Sequence, residues 1–171
     1  MFKQAKWIWK SNHFDKNSYG WFFKYISIDE EINKAVLDIS AHNHFKLLIN
    51  GKLVSGLVSP APSVVDKEKL YLKYQIDKYL SKGINKIEVI VLYLGGSGQN
   101  YINGYPGFIL EGLIETNTKR INLISDESFL VYKNTPYKDG MDFQQSRRIT
   151  PVQYYDDNII LNDKDSFTIN S

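Results

Sequence analysis

Apolar and polar positions alternate with the period of strands through most of the chain. Residues 19–28 are dense in aromatic and β-branched side chains. Residues 35–41 place Leu37, Ile39 and Ala41 on one face and Asp38 and Ser40 on the other. Residues 45–49 and 52–57 follow, separated by Asn50-Gly51. Both central residues of a type I′ turn need positive φ, so this pair predicts a hairpin turning at Gly51. Pro60-Ala61-Pro62 then imposes an extended connection poor in backbone donors. Further on, 70–75 predicts a strand, and 77–82 one helical turn stopped at Gly83. The stretch 84–94 is apolar on both faces apart from Asn85, Lys86 and Glu88, which predicts a central strand. Gly95-Gly96-Ser97-Gly98 opens a loop to Gly107, and strands are predicted at 108–115, 121–125 and 129–132. After Pro136 the chain turns irregular, with short apolar pieces only at 152–155 and 159–161.

No helical pattern outlasts a turn or two. Many short strands punctuated by turn residues predict an all-β fold: an antiparallel β-sandwich or jelly roll of carbohydrate-binding-module type, with an irregular C-terminal tail. The expected organisation is a single sandwich over 1–156, with 157–171 a tail or the start of a linker. No internal repeat interrupts it.

Composition removes several classes of chemistry. The 171 residues suit one domain. Cysteine is absent, which excludes disulfides, thiolate zinc sites, iron–sulfur clusters and thiol nucleophiles. A net charge of +2 with dispersed lysines, and Arg only at Arg120, Arg147 and Arg148, gives no polyanion-seeking face, so no nucleic-acid partner is expected. The N-terminus lacks an apolar leader segment, and the longest apolar run, 89–94, is far short of the ~20 residues that span a bilayer. No membrane partner is expected, and the cytoplasm is the expected location. The aromatic share is high at 14%, with 12 Tyr, 9 Phe and 3 Trp.

Catalytic constellations are not evident. His42-Asn43-His44 has strand spacing that could aim two imidazoles at a metal, but no third ligand follows, and neither a metal nor another cofactor is expected. The acid pairs in Asp29-Glu30-Glu31, Asp126-Glu127 and Asp156-Asp157 read as turn chemistry, since neighbours in an extended chain point apart. The Gly-rich loop lacks the lysine and the helix that hold phosphate. It is followed at once by Asn100, Tyr101, Asn103 and Tyr105. Rings to cover a pyranose face and amides for its hydroxyls make these four the candidate sugar-binding residues, with affinity near millimolar. No residue is assigned a catalytic role.

Taken in order, several motifs resemble the N-terminal β-sandwich domain of bacterial α-L-rhamnosidases. They are Trp7-Ile8-Trp9, Phe22-Phe23-Lys24, Ile49-Asn50-Gly51-Lys52, the passage Tyr74-Gln75-Ile76-Asp77 with Leu80, Gly83 and Asn85, then Ser125-Asp126-Glu127-Ser128-Phe129, and Tyr154-Tyr155-Asp156. That family removes terminal rhamnose from glycans and glycosides, and its full-length members carry the catalytic acids on an (α/α)₆ barrel. The resemblance therefore implies a non-catalytic accessory domain whose partners are such a barrel and, weakly, carbohydrate. The alternative reading is a free-standing carbohydrate- or protein-binding sandwich with no hydrolase attached.

Overall fold

The computed structural model describes residues 2–60, 69–99, 101–140 and 153–169. Among the described residues ten strands form in chain order: β1 (Ser18–Ile28), β2 (Ile32–Ala41), β3 (His44–Ile49), β4 (Lys52–Val58), β5 (Leu72–Gln75), β6 (Gly83–Tyr93), β7 (Phe108–Thr116), β8 (Arg120–Ile124), β9 (Leu130–Tyr132) and β10 (Ser166–Thr168). One 3₁₀ turn, Asp77–Tyr79, stands where a helical turn is expected. The strands build a six-stranded sheet, β10-β9-β1-β6-β3-β4, and a four-stranded sheet, β5-β2-β7-β8. Every pairing is antiparallel.

The period-2 pattern determines which residues meet between the sheets. Phe22 and Ile28 of β1, Ile87, Val89 and Val91 of β6, and Phe45, Leu47 and Ile49 of β3 point inward from the larger sheet. They pack on Ala35, Leu37, Ile39 and Ala41 of β2 and on Phe108, Leu110 and Ile114 of β7. β6 lies between β1 and β3, as its two-sided apolar run implies. At the hairpin tip Asn50 and Gly51 have φ of 52° and 73°, the left-handed pair that a type I′ turn demands.

The C-terminal third differs from its irregular appearance in the sequence. Ser166–Thr168, within the stretch expected to be a tail, pairs with β9 as an edge strand, and Ile169 enters the core. Described residues after β9 pack on the outer face of the larger sheet. There the Tyr137 ring stacks on Tyr19 with centroids 4.5 Å apart, and Tyr137 and Tyr155 form an isolated bridge. Asp163 accepts hydrogen bonds from Tyr25, Tyr132 and Lys86, the last at 2.8 Å. Lys86 in turn sits over the rings of Phe23, Tyr25 and Tyr132. These contacts cover Phe23, an outward residue of β1 that would otherwise face solvent.

Candidate carbohydrate-binding site

Strand register gathers the functional candidates at one end of the sandwich. Ser18 pairs with Tyr93, His44 with Leu92 and Ala41 with Phe108. The N-terminal segment, the β2–β3 turn, the residues entering β5 and the β6–β7 loop therefore converge there. Loop residues held by a rigid sheet are the usual place for binding groups.

The β6–β7 loop is tied down from several sides. The Gly98 N–H donates to the Tyr101 carbonyl at 2.9 Å, and the Asn103 N–H to Ser97 Oγ at 3.0 Å. The Tyr93 hydroxyl donates to the Gly104 carbonyl at 2.7 Å. His42, 5% exposed, meets the Ile102 carbonyl through Nε2 at 2.9 Å, and its N–H donates to the Gly107 carbonyl. Burial holds the His42 pKa below the ordinary histidine value despite that carbonyl, and nearby Lys69 adds to the effect. The imidazole is thus neutral at pH 7, and with Nε2 facing a carbonyl it carries its proton there.

Gly107 admits the N-terminal segment. Its φ is 134°, and a Cβ there would stand 2.8 Å from the Ile8 carbonyl, inside contact distance. Ile8 and Phe108 consequently exchange backbone hydrogen bonds at 3.0 and 3.2 Å. Trp9 turns into the core at 8% exposed, while Trp7 remains 45% exposed beside Tyr105 and Pro106.

The three described residues of the expected sugar set separate. Tyr105 is 73% exposed, with its ring edge-on to Phe14 at 5.8 Å. Asn103 is exposed, and its Oδ1 accepts from the Tyr93 hydroxyl at 3.4 Å. Tyr101 instead is buried on the outer face of the larger sheet with Tyr19, Ile90, Leu92 and Leu94, so its ring is not offered to a ligand. Asn100 lies outside the described residues. Trp7, Phe14, His42 and Lys69 join Tyr105 at this end without any local signal in the sequence that marks them as a group.

A cavity of about 260 Å³ lies at this end, lined by Trp7, His42, Lys69, Tyr105 and Pro106. It falls slightly below the roughly 300–1,000 Å³ of drug-sized sites. A larger cleft, about 560 Å³, lies beside β9 and the segment after it. There Lys10 pairs with Asp139 and Lys138 lies over Tyr154, so its charged groups already serve each other.

Five of the seven acids considered for hydrolysis have structural partners. Asp29 pairs with Lys119, Glu30 accepts from Thr116 and Thr118, and Asp126 pairs with Lys24 at 3.2 Å while accepting from Ser128. Asp156 accepts from Asn158. His42 lies beyond the end of β2 with Nε2 against the Ile102 carbonyl, while His44 opens β3. Among the described residues no three His, Asp or Glu side chains converge.

Known proteins agree with this architecture. The chain is 32% identical over 123 residues to an α-L-rhamnosidase of Formosa agariphila, a match covering 71% of this chain and 12% of that protein. The structure of a family 78 glycoside hydrolase rhamnosidase from Bacillus sp. GL1 superposes with a TM-score of 0.66 at 26% identity, over 80% of this chain and 14% of that one. An α-L-rhamnosidase from Dictyoglomus thermophilum gives the same TM-score at 24% identity, over 80% of this chain and 17% of that one. The chain thus spans less than a fifth of each of these relatives. A family model described as the α-L-rhamnosidase N-terminal domain matches residues 30–141, from the turn before β2 to beyond β9, and on that match the chain belongs to the α-L-rhamnosidase N-terminal domain family.

Proposed function

We propose that this domain is a non-catalytic accessory module of an α-L-rhamnosidase. It would pack beside a catalytic barrel and hold a carbohydrate weakly at the loop end of the sandwich. The observation that carries the reading is the contrast between the two ends of its chemistry. Most of the acids considered for hydrolysis are engaged in turns and ion pairs, whereas Tyr105 and Trp7 present exposed rings at a sugar-sized cavity, with Phe14 edge-on to Tyr105. Glycoside hydrolysis requires two carboxyl groups about 5–10 Å apart across a cleft. Binding requires only rings, amides and a rigid frame.

Two measurements test it. The isolated chain is expected not to hydrolyse an aryl α-L-rhamnoside. Turnover that disappears on replacing Asp126 or Asp156 would refute the accessory role. Titration with L-rhamnose, followed by amide shifts, is expected to move resonances of Trp7, Tyr105 and the β6–β7 loop with a dissociation constant near 1 mM, about 4 kcal/mol. No shift at tens of millimolar sugar would leave the scaffold role alone.

A further inference from the structure

Among the described residues the loop-end cavity is lined by one cation. Lys69 lines the cavity with its side chain half buried. Its ammonium donates to the His42 carbonyl at 2.7 Å, which fixes the head group against the wall. An ammonium has three donors, and no carboxylate among the described residues accepts from this one. Lysines 6, 10, 24, 73, 86, 119 and 133 pair with an acid, and exposed lysines such as Lys34, Lys52 and Lys82 do without one in water, whereas Lys69 lacks one while half buried. The rest of the cavity wall is Trp7, Tyr105, Pro106 and the neutral His42.

We infer that the loop-end cavity binds a uronate, a sugar ring bearing a carboxylate, with the ring against Trp7 and Tyr105 and the carboxylate on the Lys69 ammonium. The inference deepens the carbohydrate reading above and rests on it. A partly buried ammonium is poorly hydrated, so an incoming carboxylate makes a charge-assisted hydrogen bond in surroundings of reduced dielectric. Burial also holds the Lys69 pKa below the ordinary lysine value, and a bound carboxylate would reverse that penalty. The aromatic walls favour a sugar over an acidic peptide: a carboxylate on a flexible chain would leave Trp7 and Tyr105 uncovered.

The test compares methyl β-D-glucuronide with methyl β-D-glucoside, which differ by the carboxylate alone, in low-salt buffer at pH 7. The glucuronide is expected to bind at least about tenfold more tightly, with amide shifts at Trp7, His42 and Tyr105, and the preference is expected to shrink as salt screens it. Lys69→Met is expected to abolish the preference for the glucuronide, and Lys69→Arg to retain it. Tyr105→Ala is expected to weaken both ligands. Equal affinity of the wild-type chain for the two glycosides overturns the inference while leaving the carbohydrate reading intact. Failure of both glycosides to bind at tens of millimolar overturns the inference, and failure of L-rhamnose to bind as well overturns the carbohydrate reading. Displacement of the glucuronide by a short oligoglutamate at matched carboxylate concentration also overturns the inference, because the site would then recognise an acidic peptide.

Discussion

Replacing Asn85 by alanine removes four hydrogen bonds at once. Asn85 is fully buried where β6 begins. Its Oδ1 accepts from Asn50 Nδ2 and from the Ser81 N–H, both at 2.8 Å, and its Nδ2 donates to the carbonyls of Ser81 at 2.7 Å and Gly83 at 3.1 Å. The side chain thus stands in for a peptide unit, closing the bend between the 3₁₀ turn and β6 and tying that bend to the Asn50-Gly51 hairpin. Asn50 extends the tie: its Oδ1 accepts from the Lys86 N–H and its Nδ2 also donates to the Tyr79 carbonyl, both at 2.9 Å. A net hydrogen bond contributes about 1 kcal/mol, so four lost bonds set an upper figure near 4 kcal/mol. Ser81, Gly83 and Asn50 are exposed residues, and water can reach part of what alanine leaves unpaired. The expected cost is therefore about 2 kcal/mol, which lowers Tm by about 4–8 °C for a domain of this size. Asn85→Asp should cost at least as much at neutral pH, because a buried carboxylate would face two carbonyl oxygens. Thermal unfolding followed by circular dichroism measures both, with Asn33→Ala as control. Asn33 reaches Asn117 at an exposed position, and its loss should stay within about 0.5 kcal/mol. An Asn85→Ala variant indistinguishable from that control would refute the argument, since water would then replace the whole network at no cost.

Gly51→Val should destabilise the domain by about 1–2 kcal/mol, because φ of 73° is costly for a branched residue although a Cβ there meets nothing within 4 Å. Gly56→Ala, equally open and without positive φ, should cost less, and equal melting temperatures would place the hairpin constraint elsewhere. At the C-terminal crossing, burial pushes the Asp163 carboxyl up, but hydrogen bonds from Lys86, Tyr132 and Tyr25 outweigh it and hold the pKa at about 2. A carboxylate depressed below its unfolded value near 3.9 adds stability above that pH, which is lost as pH falls toward 2. Asp163→Asn should therefore flatten the Tm profile between about pH 4 and pH 2, and an unchanged slope would mean that other carboxylates dominate acid unfolding.

Strand alternation is a local property, and for that reason most of this fold can be read from the chain. Residues 35–41 show their inward face directly, and Asn50-Gly51 announces its turn because positive φ is a constraint on single residues. The aromatic run of β1 shows where reading fails. Phe22 faces the core while Tyr19, Trp21, Phe23 and Tyr25 face outward, yet both faces look equally apolar. Tyr19, Trp21 and Phe23 are covered by Tyr132 of β9, Tyr137 beyond it and Tyr101 of the β6–β7 loop, while Tyr25 stays 49% exposed, and no local pattern announces these roles. β10 is three residues long, and its pairing depends on the exposed edge of β9 and on Asp163 reaching Lys86 across the sheet. The candidate site divides in the same way. Tyr105 was legible as a ring in a glycine-rich loop, but Tyr101, close by in the same loop, went under the opposite constraint and was buried. The sequence by itself determined the sandwich, its hairpin and the loop that carries Tyr105. Only the tertiary structure decided that Trp7, His42 and Lys69 surround that ring, because strand register, and not any local preference, brings segments far apart in the chain to one end of the sheets.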